Sequence, residues 1–209
     1  MKRKLFYLLL FVLLLAACQP ESRALTGDVL FSDDFSTREN DWTHLVNDGG
    51  VMDYNAGGFR FYIREPNLNY WTTAGQSFKD VRIEVDALQY SGPEENRLGV
   101  MCRYRDDNNY YFFVISTDGY YAIGKLKEGV QSLLGQNAMR YASAIQTGVS
   151  INHLRAECQG STLRLYINDS PVALVDDLDF VEGDVGLLAG TFDKGELDVL
   201  FDDFQVLQP

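Results

Sequence analysis

From residue 29 onward, the sequence predicts an all-β protein built as a two-sheet antiparallel sandwich. Tyr, Phe, Val and Thr are abundant, and turn residues recur about every 8–12 positions. No stretch keeps a 3.6-residue apolar period, whereas several segments alternate apolar and polar residues. The predicted strands are Val29–Phe35, Gly50–Tyr54, Phe59–Arg64, Tyr70–Thr73, Val81–Tyr90, Leu98–Arg105, Tyr110–Ser116, Tyr120–Lys127, Val149–Gln159, Thr162–Asn168, Val172–Val175, Val185–Ala189 and Leu197–Val206, and residues 135–144 are expected to form a loop or one short helix.

Residues 1–18 differ in composition from the rest of the chain and are interpreted as a leader segment. Met1–Lys4 is a short basic head, and Leu5–Ala17 is an unbroken apolar run that precedes Cys18. As a helix this run would span only about 20 Å, which suits a cleavable signal peptide better than a span of the ~30 Å hydrocarbon core. Leu15–Cys18 resembles the bacterial lipobox, in which the cysteine sulfur receives a diacylglycerol. An ordinary secretory peptide with an incidental cysteine is the alternative.

The leader predicts the organisation of the whole chain. We expect a signal peptide at residues 1–17, a lipidated Cys18 with a flexible tether to residue 28, and one β-sandwich domain at residues 29–209. Residue 19 is Gln rather than Asp, so the common retention signal for the inner membrane is missing. The predicted location is the cell envelope, either the outer membrane or the outer face of the plasma membrane. The sequence does not indicate an oligomeric state.

The charge of the chain argues against a nucleic-acid partner. Loss of residues 1–17 leaves 15 of the 18 basic residues against 30 acidic ones, a net charge of −15. Phosphate binding needs clusters of Lys and Arg, and none is present. Such an acidic surface suits solubility outside the cell and divalent cations.

The two remaining cysteines are expected to form a disulfide. Alternation places Cys102 on the apolar face of Leu98–Arg105 and Cys158 on the apolar face of Val149–Gln159. In an oxidising compartment a buried Cys102–Cys158 bond between these strands is the natural inference, provided that their Cα atoms lie within ~7 Å. Two separate buried thiols are the alternative.

Several motifs follow one another in order along residues 29–207. They are Asp33–Phe35 with Trp42, Gly99–Phe113 with Asp118–Tyr120, Asn152–Asn168, Gly183–Ala189 and Phe201–Val206. Together they resemble concanavalin A-like lectin/glucanase jelly rolls, including laminin-G-like and keto-disaccharide-hydrolase-like domains. The resemblance implies a jelly-roll sandwich, a fold that hosts lectins, glycosidases, keto-sugar hydrolases and adhesion modules.

The resemblance also locates a catalytic pattern, which is incomplete in this chain. Family-16 glycoside hydrolases of this fold carry Glu-x-Asp-x-Glu on one strand, where a period of two puts the carboxylates on one face. This chain has Glu84 and Asp86 but Leu88 at the third position. We therefore assign no catalytic residues and interpret Glu84 and Asp86 as part of a solvated strand face. His153 is interpreted as an ordinary surface residue.

Aromatic residues suggest a carbohydrate site on the concave sheet of the expected jelly roll. Sugars stack on aromatic rings, and planar polar groups bind their hydroxyls. If Cys102 faces the core, Arg103 faces outward, and by the same parity so does Arg155. The candidate ligand-binding residues are Trp71, Arg103, Tyr111, Tyr121 and Arg155. In the alternative, the aromatic rings simply cover the sheet, and the two arginines pair with Glu84, Asp86 or Glu157.

A structural calcium ion is the one cofactor that the resemblance implies. Jelly rolls of this class often hold Ca²⁺ where the last strand crosses the first few, through backbone carbonyls and one Asp. Asp202 matches the ligand position, with carbonyls near Asp33 and Gly58 completing the site. In the alternative, Asp202 and Asp203 only blunt an edge strand.

Three functions remain open at this stage. The first is a surface-anchored, non-catalytic module that binds a polysaccharide or glycoconjugate. The second is a structural envelope protein that binds another protein through a sheet face, and the third is a glycan-acting hydrolase with a non-standard site. An aromatic groove on the concave face favours the first function, whereas a flat, filled face favours the second.

Overall fold

The computed structural model describes residues 27–209, and all the regular structure in this range is β. The strands are β1 Val29–Asp33, β2 Leu45–Asn47, β3 Gly50–Asn55, β4 Gly58–Ile63, β5 Asn69–Phe78, β6 Val81–Ser91, β7 Asn96–Asp106, β8 Asn109–Ser116, β9 Tyr120–Lys127, β10 Val130–Leu133, β11 Arg140–Tyr141, β12 Ile151–Gln159, β13 Thr162–Ile167, β14 Ser170–Asp176, β15 Gly183–Thr191 and β16 Leu197–Leu207. Within residues 27–209 no helix is long and apolar enough to cross a bilayer.

The strands form two antiparallel sheets, which confirms the predicted sandwich. The major sheet has nine strands in the order β14-β13-β12-β6-β16-β4-β3-β2, and β1 also pairs with β16. The minor sheet has seven strands in the order β10-β9-β8-β7-β15-β5, and β11 pairs with β9. The central pairs β6–β16 and β7–β15 join strands that are far apart in the chain. The fold therefore depends on long-range pairing.

The core lies between the sheets and follows from two-residue alternation in the major sheet. In β6, every second side chain from Val81 to Gln89 is buried, and the residues between them are partly exposed. In β12, Asn152, Leu154, Ala156 and Cys158 face inward in the same way. Burying a large apolar side chain contributes about 1.5–3 kcal/mol, so this inner face is the main source of stability.

The disulfide between Cys102 and Cys158 is confirmed. Cys102 lies on β7 of the minor sheet and Cys158 on β12 of the major sheet, and their Cα atoms are 6.9 Å apart. Both residues are fully buried. The bond therefore ties the two sheets together through the core.

The Asp33–Phe35 and Trp42 motif has a structural role. The buried Trp42 ring donates from Nε1 to Oδ2 of Asp33 at 2.8 Å, and Oδ1 of Asp33 accepts from the Phe35 amide at 2.7 Å. Phe204 packs edge-on against Trp42 at 5.1 Å. Phe35 has a positive φ of 53°, so the chain turns there and β1 ends at Asp33 rather than at the predicted Phe35.

Three short strands were not predicted, namely β2, β10 and β11. Each lies at a sheet edge or beside one, where little apolar alternation is needed. β11 falls within residues 135–144, the stretch expected to be a loop or a short helix, and no helix forms there.

The described chain begins at Gly27, whose amide donates to the Gln208 carbonyl at 2.8 Å. Both ends of the described chain therefore meet beside β1 and β16 of the major sheet. The predicted signal peptide, Cys18 and most of the tether lie outside residues 27–209, so the lipid anchor stays a prediction.

Candidate functional site

The structure does not bring the five predicted ligand-binding residues onto one face. Tyr111 and Tyr121 are buried in the core, and Arg103 is buried at the edge of the sandwich. Arg155 lies on the major sheet, whereas the other four residues belong to the minor sheet. Trp71 alone lies on the outer face of the minor sheet, where its strand neighbour Leu188 also points outward.

The prediction that Tyr111 and Tyr121 face outward is wrong. Tyr111 pairs with Cys102, and Tyr121 pairs with Ile115, so both share the inward face of their partners. The Tyr111 hydroxyl donates to Oδ1 of Asp177 at 2.5 Å and accepts from the Phe180 amide at 3.1 Å. Burial and the Asp177 hydrogen bond raise the pKa of Tyr111. Tyr111 is therefore a core residue whose hydroxyl has hydrogen-bond partners within the protein.

Arg103 also departs from its predicted orientation, because a β-bulge interrupts the alternation. It has a φ of 52°, and the β7–β8 register shifts between Cys102 and Asp106. Its side chain turns back and is only 1% exposed. The guanidinium donates to the carbonyls of Lys79, Gly160 and Phe180 and pairs with Asp80 at 3.2 Å. Arg103 therefore joins loops rather than contacting a ligand.

Arg155 belongs to a charged network on the outer face of the major sheet. Its guanidinium stacks on the Tyr166 ring at 3.7 Å and lies 3.6 Å from Glu157. Glu157 also accepts from Arg164 at 3.3 Å. The alternative interpretation, pairing of Arg155 with Glu157, is thus the one that the structure shows.

The outer face of the minor sheet carries a second apolar cluster. We name it the outer cluster, and it consists of the buried residues Met101, Phe112, Val114, Ala122 and Leu188. The Phe112 ring packs against Gly124, where an added Cβ would come within 2.2 Å of the ring. One face of an antiparallel sheet usually meets water with polar residues, so an apolar outer face indicates an interaction surface.

Aromatic rings border the outer cluster. Trp71, Tyr104 and Tyr110 pack against it and remain partly exposed, and we call these three rings the aromatic platform. The Tyr104 and Tyr110 rings lie 5.7 Å apart at an angle of 32°. Trp71 and Tyr110 line a shallow depression of about 40 Å³ with a floor of Phe112, Val114 and Leu188. Small-molecule cavities measure about 300–1,000 Å³, so a ligand would lie on this surface rather than inside it.

Asp107 orients two of the three rings. Its Oδ1 accepts from the Tyr104 hydroxyl at 2.5 Å and from Trp71 Nε1 at 3.3 Å. Burial, with the Asp107 hydrogen bond, raises the pKa of Tyr104 to about 12. Burial also raises the pKa of Tyr110, with a smaller effect from the negative charge of Asp107. Both hydroxyls therefore stay protonated at physiological pH.

Arg97 supplies a cation at the same depression. Its guanidinium lies 4.4 Å from the Phe192 ring centroid, and Nη2 donates to the Thr191 carbonyl at 3.1 Å. Nε is buried and has no hydrogen-bond partner within residues 27–209. Desolvation lowers the pKa of Arg97, although an arginine remains charged at neutral pH.

No family model and no curated protein matches the sequence. Solved structures do match over most of the chain. The carbohydrate-binding module CBM66 from Bacillus subtilis is 20% identical with a TM-score of 0.64, and the match covers 79% of this chain and 94% of the module. A Bacillus subtilis protein of unknown function with a galectin-like fold is 12% identical with a TM-score of 0.65, over 89% of this chain and 98% of its own.

A family-16 glycoside hydrolase from Bacteroides ovatus, solved with a G4G4G3G product, is 10% identical with a TM-score of 0.61. That match covers 86% of this chain and 100% of the hydrolase. The fold is a concanavalin A-like jelly roll. At these identities the likeness establishes the fold of the chain.

The incomplete catalytic pattern lies on the opposite side of the jelly roll from the platform. Glu84 and Asp86 share the outer face of the major sheet, as predicted. Glu84 pairs with Arg82 at 3.0 Å, and Asp86 contacts Nδ1 of the half-exposed His153 at 2.7 Å. The residues that line the platform depression include no carboxylate. A paired-carboxylate mechanism would therefore need residues from elsewhere.

Asp202 lies beside this charged face, half-buried and opposite Asp86 in the β6–β16 pairing. Burial raises its pKa, and the negative charges of Asp203, Asp34 and Asp86 add to the effect. Within residues 27–209 no group of three or more His, Cys, Asp or Glu side chains could hold a metal ion. The predicted calcium site depended mainly on backbone carbonyls, so it stays a prediction.

Proposed function

We propose that this chain is a non-catalytic carbohydrate-binding lipoprotein that binds glycans through the aromatic platform. A lipid on Cys18 would tether it to the cell envelope. The observation that supports binding is the group of partly exposed rings of Trp71, Tyr104 and Tyr110 on an apolar sheet face. Aromatic faces pack against the C–H patches of sugars, and partly buried hydroxyl groups give such contacts direction.

The polar groups around the platform suit sugar hydroxyls. Asp107 accepts hydrogen bonds, and the amides of Asn69 and Gln131 line the same depression as Arg97. The structural neighbours agree with this proposal, since they include a carbohydrate-binding module and a glycoside hydrolase with a bound glucan product. The open surface would accept a chain laid across the sheet.

The position of the tether is compatible with display of this face. The described chain starts beside β1 and β16 in the major sheet, whereas the platform is on the outer face of the minor sheet. A tether from residue 27 therefore leaves from the sheet opposite the platform.

Affinity electrophoresis in soluble glucans, galactans and host glycans tests the proposal. We expect at least one polysaccharide to retard the wild-type domain. Trp71→Ala and Tyr110→Ala should each weaken binding about tenfold or more, which corresponds to ~1.4 kcal/mol of lost ring contact. Tyr90→Ala is the matched control, because Tyr90 is exposed on the strand β6 of the major sheet. Absence of retardation in every polysaccharide would contradict the proposal.

One observation favours a protein partner as the second candidate. The depression holds only about 40 Å³ because Phe112 and its neighbours fill the sheet face. A filled apolar surface with aromatic residues suits a protein interface. A photo-reactive residue at position 71 of the full-length protein in cells would distinguish the two candidates, with the same residue at position 90 as the control. A discrete protein adduct that forms at position 71 and not at position 90 supports the protein partner. A glycan adduct supports carbohydrate binding.

A further inference from the structure

Arg97 differs from the other partly buried cations of the molecule. Within residues 27–209, seven Lys and Arg side chains are buried or half-buried, and six of them have a carboxylate within 4.0 Å. These six pairs are Arg60–Asp198, Arg82–Glu84, Arg103–Asp80, Lys125–Asp177, Arg155–Glu157 and Arg164–Glu157. Arg97 has none, although the chain has 30 acidic residues against 18 basic ones.

The donors of Arg97 are also largely unused. A guanidinium carries five N–H donors in a planar fork, and Arg97 uses one of them, on the Thr191 carbonyl. Its enclosed Nε has no hydrogen-bond partner in the described chain, as is also the case for Nε of Arg82 and Arg155. Contact with the Phe192 ring holds the plane of the guanidinium in place. The three remaining N–H groups on the terminal nitrogens can therefore bind a ligand in the depression that Arg97 lines together with Trp71 and Tyr110.

We infer that Arg97 binds an oxyanion on the glycan, either the carboxylate of an acidic sugar or a sulfate ester. This inference rests on the proposed function and specifies its ligand class. Both anions present two oxygens that match the guanidinium fork. The fork would bind one such group while neighbouring sugar units lie on Trp71 and Tyr110.

The charge of the chain narrows the ligand further. The net charge of −15 that remains after loss of the signal peptide repels a dense polyanion at long range, and Asp107 adds a carboxylate beside the platform. The ligand class that fits is a mainly neutral glycan with scattered acidic units. One such unit would meet Arg97, and neutral units would pack on the rings.

Paired polysaccharides test the inference on the complete domain. Glucuronoxylan, gellan and xanthan are each compared with their carboxyl-reduced forms, and a sparsely sulfated galactan is compared with its desulfated form. We expect the wild-type domain to bind at least one native polymer tenfold or more tightly than its neutralised form. Loss through carboxyl reduction identifies a carboxylate, and loss through desulfation identifies a sulfate ester.

Arg97→Gln should remove this preference and leave equal affinity for the two members of that pair. Arg97→Lys keeps the charge without the fork and should retain only part of the preference. Arg164→Gln is the matched control, since Arg164 lies on the outer face of the major sheet. Because Arg97 has no carboxylate partner, Arg97→Gln should lower the thermal unfolding temperature only slightly, through loss of the Thr191 hydrogen bond and the Phe192 contact.

The outcomes separate this inference from the proposed function. The inference about Arg97 would be overturned if native and neutralised polymers bound equally, or if only neutral glycans bound. If that binding still depended on Trp71, the proposed function would stand. A preference for acidic polymers that persists in Arg97→Gln would also overturn the inference. If the domain bound neither the acidic polymers nor the neutral glucans, galactans and host glycans, both the inference and the proposed function would be overturned.

Discussion

The two outer faces of the jelly roll differ in the way their side chains are satisfied. On the major sheet many outward residues are charged and paired with one another, as in Arg82–Glu84 and Arg155–Glu157, and outward apolar residues such as Leu88 are interspersed among them. On the minor sheet the outward residues form the outer cluster and the aromatic platform, and the cation beside them has no acidic partner. Charged side chains that pair with one another can remain in contact with water at little cost. An apolar face beside a cation that has no acidic partner can gain free energy by binding a ligand. This contrast supports the placement of the binding surface on the minor sheet.

The largest expected effect tests whether the outer cluster is a true second core. Phe112→Ala should lower the free energy of unfolding by about 3–5 kcal/mol, because Phe112 is 7% exposed although it lies on an outer face. Tyr166→Ala, on the outer face of the major sheet, should cost about 1 kcal/mol. Urea denaturation of both variants measures the difference. Equal losses would mean that the two outer faces are alike.

A smaller effect is expected from Asp107, which holds two platform rings. Asp107→Ala should weaken glycan binding about threefold to tenfold, because Trp71 and Tyr104 lose their common acceptor. Asp107→Asn keeps an acceptor oxygen and should bind nearly as well as the wild type. Affinity electrophoresis in the retarding polysaccharide compares the three proteins.

The same substitution has a spectroscopic signature. Burial and the Asp107 hydrogen bond raise the pKa of Tyr104 from 10.0 to about 12. Because the folded pKa is raised, the stability that this hydroxyl contributes is complete below about pH 10 and is lost as the pH rises towards 12. Ultraviolet titration of Asp107→Ala should show one tyrosine moving back towards its ordinary pKa. An unchanged titration would mean that Asp107 does not hold the ring.

The smallest expected effect lies on the charged face. Arg155→Ala should change the free energy of unfolding by no more than about 1 kcal/mol, because exposed ion pairs contribute little in water. Added salt should reduce the difference further. Thermal unfolding at low and high ionic strength checks this. A loss of several kcal/mol, or any loss of glycan binding, would show that the charged face has a larger role.

The fold could be predicted because alternation is regular wherever one sheet face meets water. It placed Cys102 and Cys158 inward, and the disulfide between the sheets confirms this. The same bond implies that Arg103 and Arg155, if both turned outward, would lie on opposite surfaces of the sandwich. A single groove that contains both arginines is therefore inconsistent with the Cys102–Cys158 disulfide.

Part of the candidate site could also be predicted from the hairpin that joins β7 and β8. The β7–β8 turn pairs Asp106 with Asn109, and even an unbulged hairpin from this turn gives Tyr111 the same face as Cys102. This hairpin places Tyr110 on the outward face. The bulge at Arg103 could not be predicted, because its positive φ depends on the close approach of Gly183 from β15. The unpaired state of Arg97 depends on long-range packing and leaves no local pattern in the sequence.

Tryptophan fluorescence tests the central claim most directly, because the chain has only two tryptophans. Trp42 is fully buried beside Asp33, whereas Trp71 is partly exposed on the platform. Titration with a polysaccharide that retards the domain should give a saturable change in emission and protect Trp71 from a soluble quencher, and both effects should vanish in Trp71→Phe. Saturable binding that leaves the emission and quenching of Trp71 unchanged would contradict the placement of the binding surface on the minor sheet.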